Sequence, residues 1–105
     1  MQNNFSVNKE ITRKDFEYLQ AKVSAAMTIV YNFGVHNISP KGRVKKEMQE
    51  IYDQVEVERK KWEMISSRPP SAEASSLILK HMRNIVKLGS IHDGLLTEHL
   101  AKLRR

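Results

Sequence analysis

Apolar residues recur at steps of three and four along most of this chain, a spacing typical of helices that bury one face. The first such segment places Phe16, Leu19, Val23 and Val30 on one side. It predicts a first helix that Thr12 caps and that ends near Gly34, because glycine readily adopts the conformation that terminates helices. Residues 1–11 lack the pattern, and we expect them to form a flexible N-terminal arm.

The second segment has the most regular pattern in the chain. Ser39 and Pro40 are typical of a helix start, so the pattern predicts a second helix from Pro40 to about Ser66, about 40 Å long. Its apolar positions alternate steps of four and three, with one acidic residue, Glu58, where an apolar one is expected. The resulting seam comprises Val44, Met48, Ile51, Val55, Glu58, Trp62 and Ile65.

Two shorter helices are predicted after the prolines at positions 69 and 70, which cannot continue a helix. Ser71 can cap the third helix and Gly89 can end it, whereas Ser90 can cap a fourth. No segment has the alternation typical of strands. The sequence therefore predicts an all-α, four-helix domain over residues 12–105. We expect the first two helices to form a long antiparallel hairpin, with the two C-terminal helices packed on it.

The long seam of the second helix also favours association, because a chain of 105 residues has only a small core of its own. A homodimer is one way to cover it, and a three-layer monomer is the other. Glu58 bears on this choice, since a carboxylate must reach solvent or meet a cation, such as Arg59 or Lys61 of a second copy. The predicted interface residues are Met48, Ile51, Val55, Trp62 and Ile65.

Composition limits the classes of function. There are no cysteines, which excludes disulfides, thiolate zinc sites and cysteine nucleophiles. The polar start carries no secretory signal and no apolar run is long enough to span a membrane, so we expect a soluble, cytoplasmic protein. The formal net charge is +6, which favours nucleic acid, anionic lipid or an acidic protein as a partner. A lipid surface is disfavoured because no helix combines a wholly basic face with a strongly apolar one.

The basic residues cluster. Four of them crowd the start of the second helix, where the helix dipole disfavours cations, and three form a stripe on the third helix with no acidic residue between Glu73 and Asp93. Such stripes can contact phosphates, although a solvated surface is the alternative for both groups. The predicted nucleic-acid-binding residues are Lys80, Arg83, Lys87, Arg104, Arg105, Lys41, Arg43, Lys45 and Lys46.

No motif indicates catalysis or a cofactor. The histidines lack the spacing of zinc ligands, and neither a nucleophile elbow nor a glycine-rich phosphate loop is present. A turn at Gly89 and Ser90 could form a helix-turn-helix with His92 and Asp93 facing outward, but these residues suit phosphates poorly. We therefore expect a non-enzymatic accessory protein that binds nucleic acid, or alternatively a protein-binding module that inhibits or adapts a larger assembly.

Overall fold

A computed structural model describes residues 13–67 and 71–104 of the chain. Within these residues the fold consists of three long helices and one single-turn helix. The long helices are α1 (Arg13–Asn32), α3 (Gly42–Ser66) and α4 (Ala72–Leu103), and the short one is α2 (Val35–Ile38). The all-α prediction is confirmed. The predicted arm, the Thr12 cap, the break at residues 68–70 and Arg105 lie outside the described residues.

The prediction of four helices is wrong, because its third and fourth helices are two halves of α4. Ser71 caps α4 as predicted, its Oγ accepting a hydrogen bond of 3.0 Å from the backbone nitrogen of Ala74. The helix then continues through Gly89 and Ser90. A glycine costs a helix only about 1 kcal/mol, and the buried residues on both sides of it, Ile85 and His92, hold the two halves in one line.

The predicted hairpin is also wrong in its partners. α4 packs along both α1 and α3, whereas α1 and α3 have few direct contacts. α4 can pack against both neighbours because it is the most apolar and the longest of the three long helices. α3 runs antiparallel to α4, so that Arg43 near its start meets Glu98 near the end of α4. The result is an elongated bundle with a longest dimension of 55 Å.

Two apolar clusters form the core. One lies where α1, α2 and α3 meet the second half of α4, and the other lies between α1 and the first half of α4. The first consists of Val30, Val35, Val44, Met48, Ile51, Val55 and Leu95, and the second of Val23, Ala26, Leu79, Met82 and Ile85.

The connection between α2 and α3 differs from the predicted helix start. Ser39 adopts a left-handed conformation at the end of α2, with φ of 46°, and does not cap the next helix. Pro40 is buried ahead of α3, and the capping position is occupied by Lys41, whose side chain makes no capping hydrogen bond. The first turn of α3 therefore has backbone amides that no side chain caps.

Candidate functional site

The basic stripe predicted on α4 is exposed to solvent along its whole length. Lys80, Arg83 and Lys87 lie at helical steps of three and four, so they share one face. Among the residues that the structure describes, none of the three lies within 4 Å of a carboxylate. We call these three residues the α4 stripe. Their charges remain available to an external anion.

The other predicted cations that the structure describes lie at one end of the bundle, whereas the α4 stripe lies in the first half of α4. Lys41, Arg43, Lys45 and Lys46 are exposed at the start of α3, and Arg104 is exposed just after α4. The antiparallel arrangement of α3 and α4 brings these two regions together. Along α4 they are separated from the α4 stripe by roughly 22 Å, measured from residue 87 to residue 102. The predicted binding residues thus fall on two surfaces.

Arg43 differs from its basic neighbours because it is already paired. Its guanidinium donates to Glu47 at 2.6 Å and to Glu98 on α4. Lys102 lies 3.3 Å from the same Glu98 carboxylate. Arg43 therefore helps to fix the start of α3 against the end of α4, a role that its position in the sequence did not indicate.

Most of the predicted interface residues lie in the core of the chain itself. Met48, Ile51 and Val55 are buried and covered by neighbouring helices, so the folded chain does not present them to a partner. Trp62 and Ile65 are only partly buried. Other helices of the same chain cover three of the five predicted interface residues, so only Trp62 and Ile65 are partly accessible, and the homodimer stays a prediction.

Trp62 borders an open groove with a volume of about 690 Å³ on the side of the bundle where α1 and α3 are apart. Its apolar lining includes Val23 and Met27, and Glu17 and Ser24 contribute polar atoms. We call this the Trp62 groove.

Tyr31, which lines the Trp62 groove, takes part in a polar network between α1 and α3. The Tyr31 hydroxyl donates to the Glu56 carboxylate, and Arg59 Nε donates to the same tyrosine oxygen at 3.2 Å. Burial and the hydrogen bond to Glu56 raise the pKa of Tyr31 to about 12. The phenol therefore stays protonated and links α1 to α3, two helices that have few direct contacts.

Glu58, the acidic residue in the seam, finds its partners within the chain. Its Oε1 lies 2.6 Å from His81 Nδ1 and 3.1 Å from Asn84 Nδ2, both on α4. Burial opposes ionisation of Glu58, but the hydrogen bonds from His81 and Asn84 outweigh it and lower the pKa of this carboxyl. Glu58 therefore needs neither a second copy nor open solvent.

Removing the Glu58 carboxylate is expected to destabilise the bundle modestly. Glu58→Ala leaves two donors on α4 without their acceptor, which we expect to lower the free energy of unfolding by about 1 kcal/mol. Urea denaturation measures the change. Glu50→Ala, which removes an exposed carboxylate that has no ion pair among the described residues, is the control on the same helix and should change stability by less than about 0.5 kcal/mol. Equal effects of both substitutions would show that the contacts of Glu58 contribute nothing.

His92 was predicted to face outward, but the structure places it in the centre of the bundle. Its side chain is fully buried, and neither ring nitrogen has a hydrogen-bond partner among the described residues. The ring lies against Gly34, where a β-carbon would be 3.5 Å from Nε2. Burial lowers the pKa of His92, and the nearby charge of Asp93 opposes this only in part. The helix-turn-helix prediction is also wrong, because α4 continues through Gly89 and Ser90 without a turn.

The described residues contain no group of three or more side chains arranged to hold a metal ion. None of their helices is both long enough and apolar enough to cross a lipid bilayer. Comparisons with protein-family models, with curated proteins and with solved structures find no match to this chain.

Proposed function

We propose that this protein is a non-enzymatic nucleic-acid-binding protein that contacts phosphates through the α4 stripe. The observation that carries the proposal is the exposure of Lys80, Arg83 and Lys87 on one helical face without a carboxylate partner in the described chain. Cations that form no internal ion pair keep their full charge for an external anion. Phosphate groups, spaced regularly along a strand, match a row of such cations.

Binding through the α4 stripe is mainly electrostatic and carries little sequence information. Ser76 and Ser90, four residues before Lys80 and three residues after Lys87, are exposed, have short side chains and offer few groups that could read base edges. Contacts to phosphates position a protein on nucleic acid but do not by themselves specify a sequence. We therefore expect affinity to fall steeply with salt and to vary little with sequence.

The test is a fluorescence-anisotropy titration of labelled duplex and single-stranded DNA and RNA at two or more salt concentrations. The triple variant Lys80→Gln, Arg83→Gln, Lys87→Gln is expected to weaken binding by about tenfold or more at low salt. It should also reduce the slope of log K against log salt by about 3, one for each lost phosphate contact.

The matched control removes three exposed lysines from other faces, Lys14→Gln, Lys22→Gln and Lys60→Gln, so that the net charge changes equally. It should keep most of the affinity and of the salt dependence. The proposal fails if the wild-type protein does not bind at low salt, or if the control triple loses as much affinity as the stripe triple.

A protein-binding module is the second candidate, and the Trp62 groove favours it. A partly exposed tryptophan beside an apolar groove of about 690 Å³ is the kind of anchor on which protein interfaces depend. The positive charge of the chain would then steer it toward an acidic partner. This alternative is favoured if wild type binds no nucleic acid at low salt but forms a nuclease-insensitive complex with one protein that Trp62→Gln abolishes.

A further inference from the structure

A cavity of about 450 Å³ lies at the end of the bundle, between the α2–α3 connection and the last turns of α4. Its polar walls include Lys41, Arg43, His99 and Lys102. Its apolar part is formed by Ile38, Val44 and Leu103. We call it the end cavity. It is distinct from the α4 stripe, which contributes no residue to it.

The charged side chains that line the end cavity are all basic. Lys41 lies within 4 Å of no carboxylate in the described chain. Arg43 and Lys102 share Glu98, which is not one of the lining residues. Arg43 also pairs with Glu47, which does not line the cavity either, so two carboxylates outside the cavity hold two cations at its walls. Lys41 adds a positive charge that no carboxylate of the described residues pairs with.

The backbone of the same cavity also favours an anion. Residues 42–44, the first turn of α3, line it, and their amides have no acceptor within the helix. No acidic residue occupies that turn to satisfy them. Gly42 has a φ of 62°, and a β-carbon built on it would meet no atom within 4 Å, so the approach to these amides is open. Cations in this turn are unfavourable for the helix dipole, and an anion bound among them would offset that cost.

We propose that the end cavity binds a phosphate monoester. Lys41 and Lys102 pair with the phosphate oxygens, the first amides of α3 donate hydrogen bonds to them, and the apolar side chains face the organic part of the ligand. The volume accommodates more than the phosphate group itself. The ligand is therefore free phosphate, a nucleotide monophosphate or the phosphorylated end of a nucleic-acid strand.

Phosphate binding in the end cavity is independent of nucleic-acid binding by the α4 stripe, because different residues are involved and different probes detect them. The stripe is tested with nucleic acid and the end cavity with inorganic phosphate. Loss of one activity leaves the other measurable.

The experiment is a ¹H–¹⁵N NMR titration of the full chain with inorganic phosphate at constant ionic strength. We expect saturable shifts of the Gly42, Arg43 and Val44 amides, and at least tenfold weaker binding in Lys41→Gln, Lys102→Gln. Lys45→Gln, Lys46→Gln is the control, because it removes two neighbouring lysines that do not line the cavity and should retain the affinity. The spectra also show whether each variant is folded.

Further titrations identify the source of the phosphate. Tighter binding of a nucleoside 5′-monophosphate than of inorganic phosphate indicates a nucleotide that uses the apolar wall. Shifts with a 5′-phosphorylated oligonucleotide, absent with its 5′-hydroxyl counterpart, indicate a strand end. The proposal is overturned if phosphate causes no saturable shift at residues 42–44, or if the control variant weakens binding as much as the cavity variant.

Discussion

Replacing Gly89 by alanine is expected to lower the free energy of unfolding by about 1–3 kcal/mol, although alanine is the better helix former. The reason is the close approach of α1 and α4 at this point. A β-carbon on Gly89 would lie 2.4 Å from the Ala26 β-carbon and 3.0 Å from its α-carbon. Both are rigidly attached to the α1 backbone, so the helices themselves must move apart. Thermal denaturation should show a fall of about 4 °C or more.

Gly94 provides the matched control on the same helix. A β-carbon there would meet no atom within 4 Å, so Gly94→Ala should raise stability by about 0.5–1 kcal/mol through helix propensity alone. Adding Ala26→Gly to Gly89→Ala should recover part of the loss, with a coupling energy above about 0.5 kcal/mol. Similar effects of alanine at Gly89 and at Gly94 would contradict the packing described for α1 and α4.

The error about Gly89 shows what local sequence patterns leave undetermined. A glycine followed by serine suits a helix end and a new cap, and it equally suits a helix that another helix must approach closely. The difference lies in Ala26, more than sixty residues earlier, whose small side chain complements the glycine. No pattern within α4 contains that information, so the number of helices could not be predicted from it.

For a similar reason, the sequence did not show which helix packs against which. The seam positions Val44, Met48, Ile51 and Val55 of α3 were identified from their spacing and are buried, whereas Phe16, on the predicted apolar face of α1, is exposed. Periodicity gives the face of a helix that is buried but not the helix that covers it. Because α4 is continuous, it is long enough to cover the apolar faces of both α1 and α3. These two helices therefore do not have to pack against each other as a hairpin.

The candidate surfaces were predicted in part. The exposure of Lys80, Arg83 and Lys87 follows from their position opposite the apolar face of α4, and the structure agrees. The division of the cations between two surfaces depends on which helix ends meet, and the sequence does not specify this. The partners of Glu58 could have been anticipated only by pairing α3 with α4 in the correct register.

His92 is buried, although the sequence predicted that it faces outward. In a separate fourth helix it would begin an exposed face, whereas in a continuous α4 it follows Ile85 and Gly89 by whole turns and points into the bundle. A fully buried imidazole without a partner must fold in its neutral form, because burial penalises the charged ring. The stability of the protein therefore depends on pH through this residue.

Acidification below pH 6.5 is expected to destabilise the wild-type protein through His92. Its pKa in the folded state is lowered from the ordinary 6.5, so the unfolded chain binds more protons in the range between the two values, and stability falls as pH falls there. The slope reaches about 1.4 kcal/mol per pH unit while the folded ring stays neutral. Carboxyl groups with lowered pKa values, such as Glu58, add their own loss of stability only when the pH falls below about their ordinary value of 4.5.

His92→Leu is expected to remove this slope and to raise stability at neutral pH by about 1 kcal/mol, since leucine leaves no buried polar atom without a partner. Urea denaturation at half-unit steps between pH 5 and 8 measures both effects. His36→Gln, which replaces an exposed histidine, is the control and should retain the wild-type slope. The difference between wild type and His92→Leu cancels the contributions of the other histidines. If the two curves run parallel over this range, the imidazole is not buried as the structure places it, and α4 does not pass through the bundle in the register described.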